Sequence, residues 1–408
     1  MKHRLVRFLM TLGVIFLVAG SVHAQDDKPL GPGWLSLDGS VGRLDSKIAE
    51  GKGSLEKALG LTMGGFLDTS YTWSSNHPKG PRDISGRYFD KDHNRVVFND
   101  FHLFVEKPEK DWVVGFRISG DFGRAGELLR EATLWGKTLT SEPSAELREA
   151  YLTTTIPVGA GIGVKGGLFV TPLGTEILPN PGAYNDNISR SFAFNYGIPI
   201  RHLGMMFSYP FAKTLTASAG VVTGWDNPRD NNSAPSVLAG VNFTPMDSFG
   251  LASNIIYGPE QTHNDGRPRL VWSTVATIKP VDPLTLLLEY TVGGEDQAPT
   301  PTRTKDSYWH ALAAIASWGW TDRFTTALRG EVFFDNQAAR TFGLGAVQPM
   351  HNATLGEFTV TGSYKFTKML IGRMEFRQDL ANHGVYKKGA SNADGNQTTL
   401  GAQLLYAF

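Results

Sequence analysis

The chain of 408 residues lacks cysteine, long apolar runs and net charge. Without cysteine it has no disulfide framework, no thiolate metal site and no lipid-modified cysteine behind a signal sequence. After residue 24 no run of 18 apolar residues occurs, so membrane-spanning helices are excluded from that part. Lysine plus arginine and aspartate plus glutamate balance at 39 each, which excludes the basic surface of a nucleic-acid-binding protein.

The amino terminus has the pattern of a secretory signal peptide. A basic head with Lys2, Arg4 and Arg7 precedes the apolar stretch 8–20, and small residues precede a cleavage site after Ala24. The apolar stretch is shorter than the roughly 20 residues that a spanning helix needs. If the mature chain enters a membrane, it must therefore do so as strands of a closed barrel, which is the only alternative that lipid allows.

Apolar residues alternate with other residues at the carboxyl terminus. Counting back in steps of two from Phe408 places Tyr406, Leu404, Ala402 and Leu400 on one face. A period of two predicts a strand with one dry face. A chain that ends on an aromatic residue of such a strand resembles the closing strand of an outer-membrane barrel, where Phe408 and Tyr406 would be the assembly signal. The alternative is an amphipathic strand that ends a soluble β-domain.

Short and long connections alternate between the predicted strands, as in barrels with short periplasmic turns and long outer loops. We therefore predict an all-β fold, a transmembrane antiparallel β-barrel of about 16 strands, with about 14 or 18 as alternatives. It comprises residues 60–408, after the signal peptide 1–24 and a periplasmic segment 25–59, for which a small plug is the alternative. The predicted strands 248–258, 268–279, 283–293 and 307–320 leave long loops at 259–267 and 294–306.

Charged side chains share one face of several predicted strands. In the strand 368–380, Arg373, Glu375, Arg377 and Asp379 oppose an apolar face. A charged residue facing the bilayer midplane costs about 2–4 kcal/mol, so these faces point into the barrel. About sixteen strands enclose an aqueous channel. The predicted pore-lining residues of the strands are Arg117, Lys165, Glu289, Arg329, Glu331, Arg373, Glu375, Arg377 and Asp379. The alternative is a barrel plugged by internal ion pairs.

The segment 166–232 carries motifs of a known family. It contains Gly166-Gly167-Leu168-Phe169-Val170-Thr171-Pro172, Asn187-Ile188-Ser189-Arg190-Ser191-Phe192, Pro199-Ile200-Arg201-His202-Leu203-Gly204 and Gly224-Trp225-Asp226. This order resembles the OmpL-like β-barrel porins of Gram-negative outer membranes. The resemblance implies an outer-membrane pore for small hydrophilic solutes and supplies no substrate-binding residues.

The third long loop, residues 173–199, is expected to narrow the pore. In general porins of about 16 strands the third loop folds inward. Glu176, Asp186 and Arg190 are then candidate constriction charges, with Tyr184 and Phe192 as packing groups. The alternative is that Glu176 and Arg190 only anchor the loop through hydrogen bonds and ion pairs.

Taken with the resemblance, these patterns predict a porin that passes small polar solutes by passive diffusion. Its expected partners are outer-membrane lipid, these solutes, the barrel assembly machinery and, by analogy, further copies in a homotrimer; nucleic acid is not expected. The alternative is an outer-membrane β-barrel enzyme, a lipid or peptide hydrolase with a closed lumen. We predict no catalytic, cofactor-binding or metal-ligating residues. Asp226, Asp230, Asn231 and Asn232 could offer oxygens to Ca²⁺ but fit a solvated turn better.

Overall fold

The computed structural model describes residues 37–80, 84–109, 113–132, 145–179, 185–300, 303–341, 352–390 and 392–408. The predicted signal peptide, the first part of the segment 25–59 and Tyr184 lie outside these ranges. None of the described helices is long and apolar enough to cross a membrane.

The described helices are α1 (Leu37–Leu59), α2 (Arg124–Ala132) and the π-helical turn Ala193–Gly197. The strands are β1 (Thr62–Ser74), β2 (Val96–Lys107), β3 (Gly115–Phe122), β4 (Ala145–Ile156), β5 (Ile162–Val170), β6 (Arg201–Ala212), β7 (Leu215–Val222), β8 (Ser236–Met246), β9 (Phe249–Gln261), β10 (Asn264–Ile278), β11 (Leu284–Pro299), β12 (Thr304–Gly319), β13 (Phe324–Asp335), β14 (Ala353–Lys365), β15 (Leu370–Ala381), β16 (Tyr386–Lys388), β17 (Asn392–Asp394) and β18 (Asn396–Ala407).

The strands β1 to β15 and β18 form one closed antiparallel barrel, which confirms the predicted fold of 16 strands. The barrel closes between β1 and β18, where Phe66 pairs with Ala407. One residue further, Gly65 and Phe408 exchange two backbone hydrogen bonds of 3.0 Å. The short strands β16 and β17 form a separate hairpin in the last outer loop.

Side chains alternate between the two faces of the barrel wall, as the period of two predicts. In β13, Leu328 and Val332 are 45% and 56% exposed on the outer face, whereas Arg329 and Glu331 are buried on the inner face. In β15, Phe376 is exposed while the charged residues on either side of it are buried. The outer face is thus apolar enough for lipid, and the charges point inward.

The connections at the end of the barrel opposite the two termini, numbered L1 to L8 and predicted to face outward, differ from the prediction at two places. They are L1 (75–95), L2 (123–144), L3 (171–200), L4 (223–235), L5 (262–263), L6 (300–303), L7 (336–352) and L8 (382–395). The predicted long loops 259–267 and 294–306 are wrong, because β9 to β12 continue beyond the expected ends. Arg269 on β10 forms a 2.8 Å ion pair with Glu295 on β11, which holds these extensions together.

The interior of the barrel contains a dry cluster as well as charges. Phe192, Phe194 and Tyr196 of L3 are buried together with Trp309 of β12 and Phe333 of β13. Val385 and Tyr386 in L8 also belong to this cluster. Next to β12 and β13, packed aromatic side chains therefore occupy space that was predicted to be water-filled lumen.

Candidate functional site

L3 lies inside the barrel and is fastened to the inner wall along its length. Its first part follows β5, and Gly174 adopts a positive φ of 81°, a conformation that favours glycine. The side-chain amide of Asn254 donates to Pro172 O at 2.8 Å. Thr175 N donates to the carboxylate of Glu289 at 2.9 Å. The first part of L3 is thereby held against β9 and β11.

Two wall carboxylates hold the second part of L3 through its backbone. Glu331 accepts hydrogen bonds from Phe192 N at 2.5 Å and from Ala193 N at 2.6 Å, where the π-helical turn begins. The backbone of Ile188 donates to Glu375 at 2.6 Å. Free N–H groups at the start of a helical turn attract negative charge, so carboxylates are suited to these positions.

Two wall arginines hold the carbonyl groups of the same segment. Arg329 donates to Ser189 O at 2.6 Å and forms a 2.7 Å ion pair with Glu176. Arg377 donates to Arg190 O at 2.5 Å and forms a 2.6 Å ion pair with Asp379. Both arginines are fully buried. Because a buried charge without a partner is costly, these contacts strongly favour the inward position of L3.

Aromatic residues and outer loops cover L3 on its other side. Trp309 Nε1 donates to Gly197 O at 3.1 Å, and the ring of Tyr196 packs edge-on against Phe333. From L7, Arg340 donates to Tyr196 O at 2.9 Å and stacks on the ring of Trp225. Burial lowers the pKa of Arg340 to about 10, so it remains charged at neutral pH.

L1 and L8 also pack onto L3 and the inner wall. From L1, Arg87 forms a 2.8 Å ion pair with Asp379, and Tyr88 N donates to the side-chain oxygen of Asn195. From L8, Tyr386 is fully buried and its hydroxyl donates to Leu380 O. Burial raises the pKa of Tyr386, so its hydroxyl stays neutral. L1, L7 and L8 thus cover L3 inside the barrel.

A cavity of about 70 Å³ lies between L3 and the barrel wall near the seam. One wall consists of inward residues of β1 to β4, including Asp68, Asp100 and Asp121, and the other of L3. Arg190 of L3 and Arg373 of β15 also line it. The cavity therefore lies between L3, α2 and the wall near the barrel seam, and apolar side chains such as Phe66, Leu128 and Leu129 line it together with carboxylates and guanidinium groups.

A possible set of metal ligands lies beside this cavity. Ligand atoms of Asp100, His102 and Asp121 lie within 4.8 Å of one another. However, His102 Nδ1 already shares a hydrogen bond of 2.8 Å with Asp121, and the guanidinium of Arg148 binds both carboxylates. Since the positive charge of Arg148 would repel a metal cation, the geometry supports an ion-pair network here rather than a metal centre.

The structure brings most of the predicted pore-lining residues to L3. The residues in contact with L3 or belonging to it are Glu176, Asp186, Arg190, Glu289, Arg329, Glu331, Arg373, Glu375 and Arg377. Asp379 joins them through Arg377 and Arg87. Most of these side chains are buried in such contacts. Around L3 the structure therefore matches the alternative of a barrel plugged by internal ion pairs.

Arg117 and Lys165 contact neighbouring strands instead of L3, and the residues considered as calcium ligands are engaged in other contacts. Arg117 pairs with Glu106 and Glu149 on the neighbouring strands, and Lys165 lies 4.7 Å from the ring centre of Tyr151. Asp226 accepts hydrogen bonds from Ile200 N and Arg201 N, so it anchors the end of L3. Asp230 Oδ1 accepts from Asn232 N, which is a local turn contact. The solvated-turn interpretation thus fits Asp230 and Asn232.

Several residues of the site were missed in the sequence. Glu357, which pairs with Arg329 at 2.6 Å, and Asp68, Asp100 and Arg148 were not singled out. The period of two could have placed Glu357 and Asp68 on inner faces, because each stands at an inward position of its strand. Their partners come from other strands and loops, which the period does not identify.

The sequence is similar to a known family over most of its length. The sequence model of the family described as "Putative beta-barrel porin-2, OmpL-like" matches residues 60–408. No curated protein matches the chain.

Solved structures with a similar fold include an outer-membrane channel and two porin-type proteins. The outer-membrane channel DcaP of Acinetobacter baumannii has a TM-score of 0.60 at 13% identity, over 85% of this chain and 97% of that one. The anion-selective porin from Comamonas acidovorans has a TM-score of 0.55 at 12% identity, over 85% and 99%. OprB of Pseudomonas putida has a TM-score of 0.55 at 12% identity, over 85% and 94%. At these identities the similarity shows the shared barrel fold.

The closed 16-stranded barrel with an apolar outer face, the inward third loop and the match across residues 60–408 agree with one another. The chain belongs to the OmpL-like β-barrel porin family of the outer membrane.

Proposed function

We propose that the protein is a porin through which small hydrophilic solutes diffuse passively, past L3 on the side of the barrel seam. The observation that carries this proposal is the cavity between L3 and the walls of β1 to β4, β15 and β18. Four aspartates and four arginines line it, together with apolar side chains such as Phe66 and Leu128. Water and small polar molecules favour a charged surface over an apolar one, which supports the seam side as the route.

The lining suggests a selective rather than a wide pore. A narrow passage of low dielectric strengthens the interaction of its charges with a passing ion, and rings of charge set ion preference in channels. Arg190 lies on L3 itself, whereas Arg373 lies on the barrel wall, with Glu375 on the same strand. Charge reversal at Arg190 should therefore act more directly on passing ions.

Planar-bilayer recording of the purified full-length protein tests the proposal. We expect stepwise ion conductance from the wild type, and we expect Arg190→Glu to shift the reversal potential in a salt gradient toward cations more than Arg373→Glu does. Asp306→Asn, which changes a charge at an exposed outer position, should leave the reversal potential unchanged. A silent barrel that hydrolyses lipid or peptide would instead support the enzyme alternative. If Arg373→Glu shifts the reversal potential and Arg190→Glu does not, L3 is not the constriction and the charges of the barrel wall set the ion preference.

We further propose a homotrimer. One similar structure, OmpT of Vibrio cholerae, was solved in a trimer form, with a TM-score of 0.56 at 11% identity, over 85% of this chain and 99% of that one. Sedimentation of the detergent-solubilised protein, corrected for bound detergent, should give three times the monomer mass. A sedimenting monomer at all protein concentrations would contradict the trimer without affecting the pore.

The proposal also covers the amino-terminal part of the chain. We place the segment 25–59 in the periplasm, after cleavage of the signal peptide at Ala24. Amino-terminal sequencing of protein purified from outer membranes should then begin at Gln25. A product that begins at Met1 would contradict the cleavage.

A further inference from the structure

The connections L1 to L8 carry an excess of positive charge at one place only. L1 and L8 together contain seven lysine or arginine residues and four aspartates, whereas the other six connections together contain seven basic and seven acidic residues. L1 follows β1, and L8 leads into β18, the two strands that close the barrel. In a chain without net charge, the excess is thus confined to the seam, where the cavity beside L3 lies.

Backbone hydrogen bonds join L1 and L8 at this end of the seam. Lys79 N donates to Gly389 O at 3.0 Å, and Gly389 N donates to Asn76 O at 2.9 Å. At the other end of L1, Asn94 N donates to Thr72 O of β1 at 2.7 Å. The two loops therefore form one continuous rim beside the seam. Its basic residues, which we call the basic rim, are Lys79, Arg95, Lys387 and Lys388.

Most of the basic rim is open to water. Lys79 and Arg95 are exposed, and in the described part of the chain neither of them pairs with a carboxylate. The side chain of Lys388 is 55% exposed, although it pairs with Asp394 at 2.6 Å. Since that ion pair is neutral as a unit, the electric field of the basic rim comes chiefly from the other cations.

The carboxylates nearest to the basic rim do not cancel its charge. Asp92 of L1 forms a 3.0 Å ion pair with Arg124 of α2, and Asp90 lines the cavity. The cavity contains four aspartates and four arginines, so its lining favours neither sign of charge. A charged mouth raises the local concentration of ions of the opposite sign. The basic rim, rather than the cavity, therefore provides a preference for one sign.

We propose that the basic rim attracts small organic anions, such as monocarboxylates, to the outer end of the passage beside L3. The inference rests on the proposed pore, because this attraction serves transport only if the solutes then pass L3. Attraction by exposed charges extends over about 10 Å at 0.1 M salt and about 30 Å at 0.01 M. The preference for anions should therefore depend strongly on ionic strength.

Thiol modification measures the electric potential at the basic rim without requiring conductance. Ala390→Cys places a thiol at an exposed position beside Gly389. Two methanethiosulfonate reagents, one with a sulfonate and one with a trimethylammonium group, are compared by their rates, with 2-mercaptoethanol as the reference thiol. At low salt we expect the ratio of the anionic to the cationic rate to be about tenfold higher at Ala390→Cys than for the reference.

Charge removal and salt provide the controls for this measurement. Adding Lys79→Gln and Arg95→Gln to the Ala390→Cys protein should bring the ratio close to that of the reference thiol, as should 1 M salt. Lys305→Gln removes a charge from an exposed position on β12 and should leave the ratio high. Heat-modifiable migration shows that each variant is folded.

Uptake into proteoliposomes measures the consequence for transport. Radiolabelled lactate and lactamide have nearly the same size but differ in charge. At low salt we expect lactate to enter severalfold faster than lactamide through the full-length protein, and we expect the two rates to converge in 1 M salt. The variant with Lys79→Gln and Arg95→Gln should lower the ratio of lactate to lactamide uptake, whereas Lys305→Gln should not.

The outcomes separate the basic rim from the pore. A rate ratio at Ala390→Cys equal to that of 2-mercaptoethanol would overturn the inference, whether or not the barrel conducts. A high ratio that persists after Lys79→Gln and Arg95→Gln would also overturn it, as would equal uptake of lactate and lactamide at low salt. A high thiol ratio in a barrel that admits neither solute would retain the positive rim and contradict the proposed function.

Discussion

At the scale of single residues, the inner charges of this barrel act chiefly on the backbone of L3. Glu331 and Glu375 accept from consecutive N–H groups, and Arg329 and Arg377 donate to carbonyl groups only a few positions away. Hydrogen bonds to charged groups contribute roughly 1.5–3 kcal/mol each. The position of L3 therefore depends on a few side chains of the wall.

We expect Glu331→Gln to loosen L3. The new side chain keeps one acceptor but turns an N–H₂ group toward backbone donors, which removes about 1–3 kcal/mol of docking free energy. Single-channel recording should show more frequent current fluctuations than in the wild type. The matched control is Glu109→Gln, an exposed position in the turn after β2. Equally frequent current fluctuations in both variants would mean that Glu331 does not hold L3 in the conducting channel.

A second residue-scale prediction concerns Asp226 in L4. Burial raises the pKa of its carboxyl to about 6, although the backbone N–H groups of Arg201 and Ile200 oppose the shift. The folded protein then keeps a proton that the unfolded chain releases near pH 4. Asp226 therefore makes the free energy of unfolding decrease with a definite slope as the pH rises from about 4 to about 6.

Asp226→Asn should reduce this slope in the pH dependence of the unfolding temperature. Asparagine keeps an acceptor for the two N–H groups and tolerates the positive φ of 56° at this position. Thermal unfolding in detergent at several pH values between about 4 and 6 measures the slope. A variant with the slope of the wild type would show that Asp226 titrates at its ordinary pKa.

At the scale of strands and loops, the sequence predicted the wall better than the interior. The period of two identified β13 and β15 and their inner faces, because one face must be apolar in lipid. It did not predict that Glu331 would bind Phe192 N, since that contact depends on how an irregular loop crosses the lumen. It also missed the extensions of β9 to β12, because polar residues outside the membrane do not alternate.

The seam between β1 and β18 gives a prediction at this scale. A Cβ atom at Gly65 would lie 2.4 Å from His102 O and 2.8 Å from the ring of Phe408, so Gly65→Val should disturb the barrel closure. We expect less heat-modifiable barrel in outer membranes. Gly330→Val is the control, because no atom lies within 4 Å of a Cβ there.

Deletion of Phe408 should also lower the amount of assembled barrel, because it removes the terminal residue that pairs with Gly65. Signal cleavage should continue in this variant, as the amino terminus is unchanged. Normal assembly at ordinary expression would contradict the role of Phe408 as an assembly signal.

At the scale of the whole molecule, the connections between the strands predict its orientation in the membrane: turns on the periplasmic side and L1 to L8 on the outer side. Since the natural chain has no cysteine, each introduced cysteine is a unique label. We expect Ala160→Cys and Asp282→Cys, in exposed turns, to resist impermeant thiol reagents in intact cells. Thr262→Cys and Asn392→Cys, exposed on the opposite side, should react. Equal labelling of both pairs would contradict the orientation, and all four should react after the cells are lysed.

The fastening of L3 also dictates an order of events during folding. Asn254 follows its partner Pro172 by 82 residues, and Arg373 follows Asn185 by 188 residues. Contacts between such distant positions form slowly, because a long stretch of chain must first be ordered. L3 is synthesised before β9 and β15, and it can dock inside the barrel only after these later strands have joined the wall. In a folding intermediate before that stage, L3 would not yet cross the lumen. Such a barrel would pass solutes more freely until the last strands have paired.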